Sequence, residues 1–272
     1  MLVLIKGGGD LASGIAVRLF RAGFSLVMTE LSHPTVVRRA VSFAPAVWAG
    51  QSTVEGVTAR RADSLEAVEQ ILAQGAIPLL VEPEQKELAA LSPAALVDAV
   101  MAKKNTGLSL EDATIVIGVG PGFCAGQDCH AVIETQRGHS LGRAIYGGSA
   151  AADTGIPGTV LGFSQERIIR APGTGLFQPL AEIGDLVKQG APVAQVGSSL
   201  ARAQISGIVR GMLAPGTPVT AGMKAGDIAP RGERSYCYTV SDKALAVGGG
   251  CLEAILHFSQ PGRWPEQAAD RG

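Results

Sequence analysis

Two glycine-rich turns and the polar residues around them are the parts of this chain whose types and spacing could do chemistry. The first, Gly7-x-Gly9-x-x-Ala12, follows the apolar run Leu2 to Ile5 and opens a stretch where Leu11, Ala12, Ile15, Ala16, Leu19 and Phe20 recur at helical spacing. Glycines at such a turn let a pyrophosphate approach the helix N-terminus, where free N–H groups and the helix dipole favour an anion. Glu30, about twenty residues on, then stands where a carboxylate takes ribose hydroxyls. Asp10 opposes this: a carboxylate in the cradle repels phosphate unless it is turned away as a helix cap or counters a metal. The same spacing also serves a βα connection that is merely tight. Arg38 and Arg39, close in chain to Glu30, could clamp a phosphate bidentately, although arginine pairs are commonly just solvated.

The densest polar stretch runs from Val119 to Arg143. It opens on the second glycine turn (Gly118, Gly120, Gly122) and carries Asp128, His130, Glu134, Thr135, Arg137, His139 and Arg143. Lys103, Lys104 and Asn105 enter the same edge just before it. Ligands of open α/β sheets bind outside the carboxyl ends of the strands, so a second anion site beside the first is expected. If the site is catalytic, His130 or His139 is the proton donor and Asp128 or Glu134 the base. The competing reading is a long polar hairpin with satisfied histidines. Cys124, Cys129 and His130 do not have the separations of a closed zinc motif, so no metal is expected, and the cysteines read as small buried hydrophobes. Met223-Lys224 resembles a biotinyl-lysine pair, yet the hairpin between the half-repeats that should carry the lysine, Ser198 to Arg202, has none.

The elements that must position these residues alternate. Leu2 to Ile5, the helix to Phe20 and Phe24 to Thr29 form a βαβ unit. Then come a helix after Pro34, a strand near Val54 to Ala59, a helix from Ser64 to Gln74 and a strand from Ile77 to Val81. Ser92 with Pro93 predicts a helix start with Leu96, Val97, Val100 and Met101 on its apolar face. Thr114 to Val119 is the next strand, followed by strand-like segments at Ala131 to Ile133 and Leu141 to Tyr146. From about Gly155 the Gly/Pro punctuation becomes dense and helical spacing is lost until Ser241. Two similar stretches there, from Ile183 and from Ile208, read as half-repeats of a hammerhead barrel. The expected fold is α/β, a Rossmann-like parallel sheet over 1–160 with an inserted biotinyl/lipoyl-like β barrel over 161–235. A C-terminal helix over 236–258 returns to the α/β part, and 259–272 form a loose tail.

Composition narrows the function. With 272 residues, a formal charge of −1 and no block of like charge, neither nucleic acid nor an anionic membrane is an expected partner. Thirty-six glycines and few aromatics suit a nucleotide-type α/β core. Four cysteines in a chain this long do not make a disulfide scaffold, and no leader or spanning segment is visible, so a cytoplasmic location is expected.

The blocks KGGGDLASG, TELSHPTVVRRAVSF, DAVMAKKNTG, GVGPGFCAG, VIETQRGHSLGR, GMKAGDIAPRG and SDKALAVGGGCLEAIL, in this order over almost the whole chain, resemble the YqeB family. There is a remoter likeness to the XdhC molybdenum-cofactor chaperones. The resemblance implies maturation of selenium-dependent molybdenum hydroxylases. It would involve a molybdopterin-type cofactor or a dinucleotide, with the hydroxylase apoenzyme or other maturation proteins as partners, and homo-oligomerisation open. In that reading Gly7, Gly9, Asp10, Ala12, Glu30, Arg38, Arg39, Lys103, Lys104, Asn105, Gly118, Gly120, Gly122, Arg137 and Arg143 surround the cofactor. Cys124 or Cys129 would then serve as chalcogen carrier. The alternatives are a nucleotide-dependent oxidoreductase or transferase, and a non-catalytic assembly scaffold.

Overall fold

The computed structural model describes residues 1–260, so the expected tail lies outside the described residues apart from its first two positions. Parallel strands β1 (Leu2–Lys6) and β2 (Ser25–Glu30) are joined through α1 (Asp10–Arg21). Val3 and Ile5 enter one core and Leu4 the other, so the sheet is covered on both faces. This is why the strand reads as a continuous apolar run rather than an alternation.

The chain then builds outward through α2 (Ala46–Ala49), β3 (Gln51–Val54), β4 (Val57–Ala62), α3 (Leu65–Ala73) and β5 (Ile77–Val81). After α4 (Gln85–Leu91) it crosses to the free side of β1 with β6 (Ala95–Asp98) and β7 (Ile115–Val119). β8 (Cys124–Ala125), β9 (Ala131–Ile133), β10 (Ala144–Ile145) and β11 (Gly148–Ser149) complete this part. The nine-stranded order is β10-β9-β7-β6-β1-β2-β5-β4-β3, with β8 and β11 paired separately. The chain departs from β1 in both directions, which leaves a crevice beyond its carboxyl end.

Sequence expectation and structure differ in four places. The sheet is mixed, not wholly parallel, since β3 and β10 run antiparallel to their neighbours. The link between β3 and β4 is Glu55-Gly56, both at positive φ (47° and 82°), and a two-residue turn makes a hairpin, never a parallel crossover. The helix expected over Ser92 to Met101 is the buried strand β6, because Ala95 to Asp98 lie at the sheet centre beside β1, where tertiary pairing overrides the helical spacing. After Pro34 there is only a 3-10 turn at Arg39–Val41 before the four-residue α2.

The fourth difference is the β module: β12 (Ile168–Arg170), β13 (Gly175–Pro179), β14 (Leu186–Val187), β15 (Pro192–Val196), β16 (Ser199–Arg202), β17 (Gly207–Met212), β18 (Pro218–Val219) and β19 (Lys224–Ala229). In place of the expected Rossmann-plus-hammerhead arrangement, its strands bond within two antiparallel groups, β12-β19-β17-β14 and β16-β15-β13-β18, around Phe177, Val209, Met212 and Ile228. β17 is fastened to the α/β part: the Met212 N–H donates to the Val37 carbonyl (2.8 Å) and Arg39 Nε donates to the Met212 carbonyl (2.6 Å).

Finally α5 (Asp242–Ser259) lies on α1. Gly14 and Gly248 permit the approach: a Cβ on Gly14 would sit 2.5 Å from the Ala244 methyl, and one on Gly248 3.2 Å from the Gly14 carbonyl oxygen. Both helices begin near the crevice. No helix among the described residues is long and apolar enough to cross a membrane.

Candidate anion-binding cleft

The crevice is a cleft of about 750 Å³ bounded by the carboxyl ends of β1, β2 and β6, the segment 34–38, the starts of α1 and α5, and the β module. Its floor is the first glycine turn, which is held rigid by its neighbours. The Gly7 N–H donates to the Thr29 carbonyl (2.9 Å), and the Gly8 N–H donates to Glu30 Oε2 (2.7 Å). The Gly8 carbonyl accepts from the Ala44 N–H and the Ser13 hydroxyl.

Glu30 therefore braces the turn rather than reaching only for a ligand, its other oxygen accepting from the Leu31 N–H (2.7 Å). Burial raises the pKa of its carboxyl on balance, with the two backbone bonds acting in the opposite sense. Gly7 has φ +100° and no room, whereas Gly9 has ordinary backbone (φ −66°) and a Cβ there would meet nothing. Neither strain nor packing by the chain requires glycine at position 9. It is the N-cap of α1, where no side chain caps the helix, so the first-turn N–H groups face the cleft without a side-chain acceptor.

Seven cations line the cleft (Lys6, Arg38, Arg137, Arg167, Arg210, Lys224, Lys243) against four carboxylates (Asp10, Glu30, Glu82, Asp227). In a chain of net charge −1 this is a local concentration of positive charge. Arg38 is 8% exposed. One guanidinium NH₂ donates to the Tyr236 carbonyl (2.9 Å) and the other stands 3.8 Å from Asp10, while Nε is buried with no partner. Burial first, then the neighbouring Arg210, pull its pKa down.

Also lining the cleft, Arg167 holds the buried Asp227 through two bonds (3.0 and 3.2 Å) and donates to the Gly158 carbonyl (3.0 Å). Arg210 reaches the same carboxylate only at 3.8 Å. Three arginines thus share Asp10 and Asp227. Burying such an imbalance is costly unless an anion completes it. Pro34, Val36, Pro83, Val100 and Met101 form the apolar part of its wall.

Of the site residues expected from sequence, the structure brings Gly7, Gly9, Asp10, Ala12, Glu30, Arg38 and Arg137 to this cleft, and not the others; Lys224, set aside as a biotinyl-lysine, lines it too. Arg39 is spent on the Met212 carbonyl. Gly118, Gly120 and Gly122 pack against Phe123, Thr135 and the backbone of Lys103 and Lys104, so the second turn is shaped by its own chain. Lys103 pairs with Asp153 (2.7 Å), and Lys104 and Arg143 are exposed. Asn105 and Asp128 bond one another (3.0 Å), and Asp128 also accepts from the Cys124 N–H.

His130 Nδ1 accepts from the Val116 N–H (3.0 Å), and burial lowers its pKa. His139 is exposed. Glu134 is buried, with its oxygens taking the Gln136 and Ala151 N–H groups. None of the four expected acid–base residues lines the cleft. Burial pushes the Cys129 thiol up to about 11, opposite to the activation a chalcogen carrier needs. Arg167, Arg210, Asp227 and Lys243 were missed. The available signal was a charge set inside otherwise buried strands, as Arg210 in β17 and Asp227 in β19 are.

No protein-family model matches the chain. It is 48% identical over 261 residues, 96% of its length, to a relative from Escherichia coli (strain K12) described as uncharacterized protein YqeB, and spans 48% of that relative. Among solved structures it is similar to a succinylglutamate desuccinylase/aspartoacylase from Rhodobacter sphaeroides (24% identity, 31% and 30% of the two chains, TM-score 0.21). It is also similar to an aspartoacylase family protein from Mesorhizobium loti (14% identity, 84% of each chain, TM-score 0.28). At these TM-scores the chain traces differ too much for an activity to be carried across.

The expected role finds no support in the comparisons. The curated relative is described as uncharacterized, and nothing in the comparisons carries a molybdenum-enzyme maturation role to this chain. The expected molybdenum-cofactor and selenium-hydroxylase assignment is therefore withdrawn. The sequence likeness supports the YqeB family for this chain, which spans about half the length of the relative it matches.

Proposed function

We propose that the protein binds a phosphorylated small molecule of the nucleotide class in this cleft, its phosphate at the start of α1 and its ring against the apolar wall. Arg38 carries the reading: a buried guanidinium with an unpartnered Nε, beside a second arginine, is satisfied by an oxyanion with spare lone pairs. Gly9 supports it, since the position left open by the missing Cβ adjoins the uncapped first turn. The cleft volume, about 750 Å³, also falls in the range of small-molecule sites. The dinucleotide expected from the glycine turn belongs to this class.

Titration calorimetry at low salt with inorganic phosphate, adenosine monophosphate and NAD tests the reading. Binding is expected to weaken as salt is raised, and Arg38→Gln to lower affinity about tenfold or more, measured below the variant's own Tm because Arg38 also holds the Tyr236 carbonyl. Absence of binding to all three anions, or an Arg38→Gln variant that binds as well as the parent, would overturn it.

A further inference from the structure

Lys243 differs from the other cations of the cleft, of which only Lys224 also has no carboxylate at ion-pair distance among the described residues, and Lys224 is exposed to solvent. Lys6 stands 3.8 Å from Asp112, Arg137 holds Asp242 through two bonds, and Arg38, Arg167 and Arg210 lie within ion-pair distance of a carboxylate. Lys243 is half-buried, lines the cleft, and has no carboxylate within ion-pair distance among the described residues. It is the second residue of the 18-residue α5, at the positive end of that helix, where a cation is disfavoured. Arg137 is near enough to act on it as well. Burial lowers its pKa most, Arg137 adds to this, and Asp10, Glu134 and Asp153 act in the opposite sense, with the net direction downward. A lysine that is desolvated beside another cation is a neutral amine more of the time, and so a nucleophile.

We propose that Lys243 is the reactive amine of the cleft and condenses with the carbonyl group of an anionic ligand. The nitrogen lone pair forms the C–N bond, and both amine protons leave with the carbonyl oxygen as water. The product is an imine, and no oxidant or reductant enters the step. This rests on the reading of the cleft as an anion site and goes beyond its nucleotide class: the ligand carries an aldehyde or ketone beside its phosphate, a group that adenosine monophosphate and NAD lack.

The test uses the full chain at pH 7 with limiting pyridoxal 5′-phosphate as an anionic aldehyde, borohydride reduction and peptide mass mapping. A parallel arm uses formaldehyde, an uncharged aldehyde, with cyanoborohydride. Lys243 is expected to be labelled about tenfold faster than any other lysine in both arms. Inorganic phosphate should slow only the anionic arm, and Lys243→Arg should abolish the fast label while keeping Tm. Label spread over the lysines according to their exposure, or Lys243 unlabelled, overturns the proposal. If phosphate binds by calorimetry while Lys243 stays unlabelled, this inference falls and the anion site stands. If Lys243 is labelled fast in both arms and phosphate neither protects nor binds, the reactive amine stands and the anion reading falls.

Discussion

Gly8 and Gly9 are adjacent and glycine for different reasons. A Cβ on Gly8 would meet the Ala44 backbone nitrogen at 3.0 Å and Glu30 Oε2 at 3.1 Å, two groups fixed by their own hydrogen bonds. A Cβ on Gly9 would meet only the open cleft. Gly8→Ala is therefore expected to cost about 1–3 kcal/mol of folding stability by urea denaturation. Gly9→Ala is expected to cost no more than about 1 kcal/mol, while lowering phosphate affinity. Equal destabilisation by the two, or unchanged affinity in Gly9→Ala, would contradict this account of the turn. The glycine spacing of this turn was legible in the sequence, because backbone chemistry at a βα turn is local. The division of labour between its glycines was not, because Ala44 and Glu30 arrive from elsewhere in the chain.

At the scale of elements, the α1–α5 contact is the joint that sets both helix starts on the cleft. Gly14→Val would drive a branched side chain into Ala244 and Val240, a clash that side-chain rotation does not relieve. A loss of about 2 kcal/mol or more is expected, read as a lower urea midpoint with unchanged slope. The start of α5 also carries a pH-dependent brace. Arg137 hydrogen-bonds Asp242 and holds its carboxyl down at about 2. A depressed acid contributes stability that is present above its unfolded value and lost as pH falls through its folded one. This limb should therefore disappear between about pH 4 and pH 2, and Asp242→Asn should flatten it. The pair is exposed to solvent, so its effect is at most about 1 kcal/mol. A stability profile in that window that is the same for both proteins would rule out the brace.

For the molecule as a whole, the cleft exists only because the β module sits against the sheet. Arg38 comes from the α/β part, while Arg167, Arg210 and Asp227 come from the module. The two are held together by Arg39 on the Met212 carbonyl and the Met212 N–H on Val37, while Arg38 holds the Tyr236 carbonyl in the segment that follows the module. A ligand contacting both sides stabilises both. Hydrogen exchange with saturating phosphate or adenosine monophosphate is expected to slow amides of the turn 7–12 and of β17 and β19 together, with a rise in Tm that grows with ligand concentration. Protection confined to one side would place the ligand elsewhere.

The sequence by itself determined the first βαβ unit, the glycine turn, α3 with its Ser64 cap, β5, the span of α5 and the change of character before the β segment. Each is written in neighbouring residues, as hydrophobic period, capping chemistry or turn type. Tertiary structure alone decided that Ala95 to Asp98 form a central strand, that β3 and β10 close the sheet antiparallel, and that the polar stretch around His130 braces its own loop. It also decided that Arg167, Arg210, Asp227 and Lys243 line one cleft with Arg38. These depend on which distant surfaces meet, since the fate of a charged side chain is set by what it is buried against, and residue type and spacing do not carry that information.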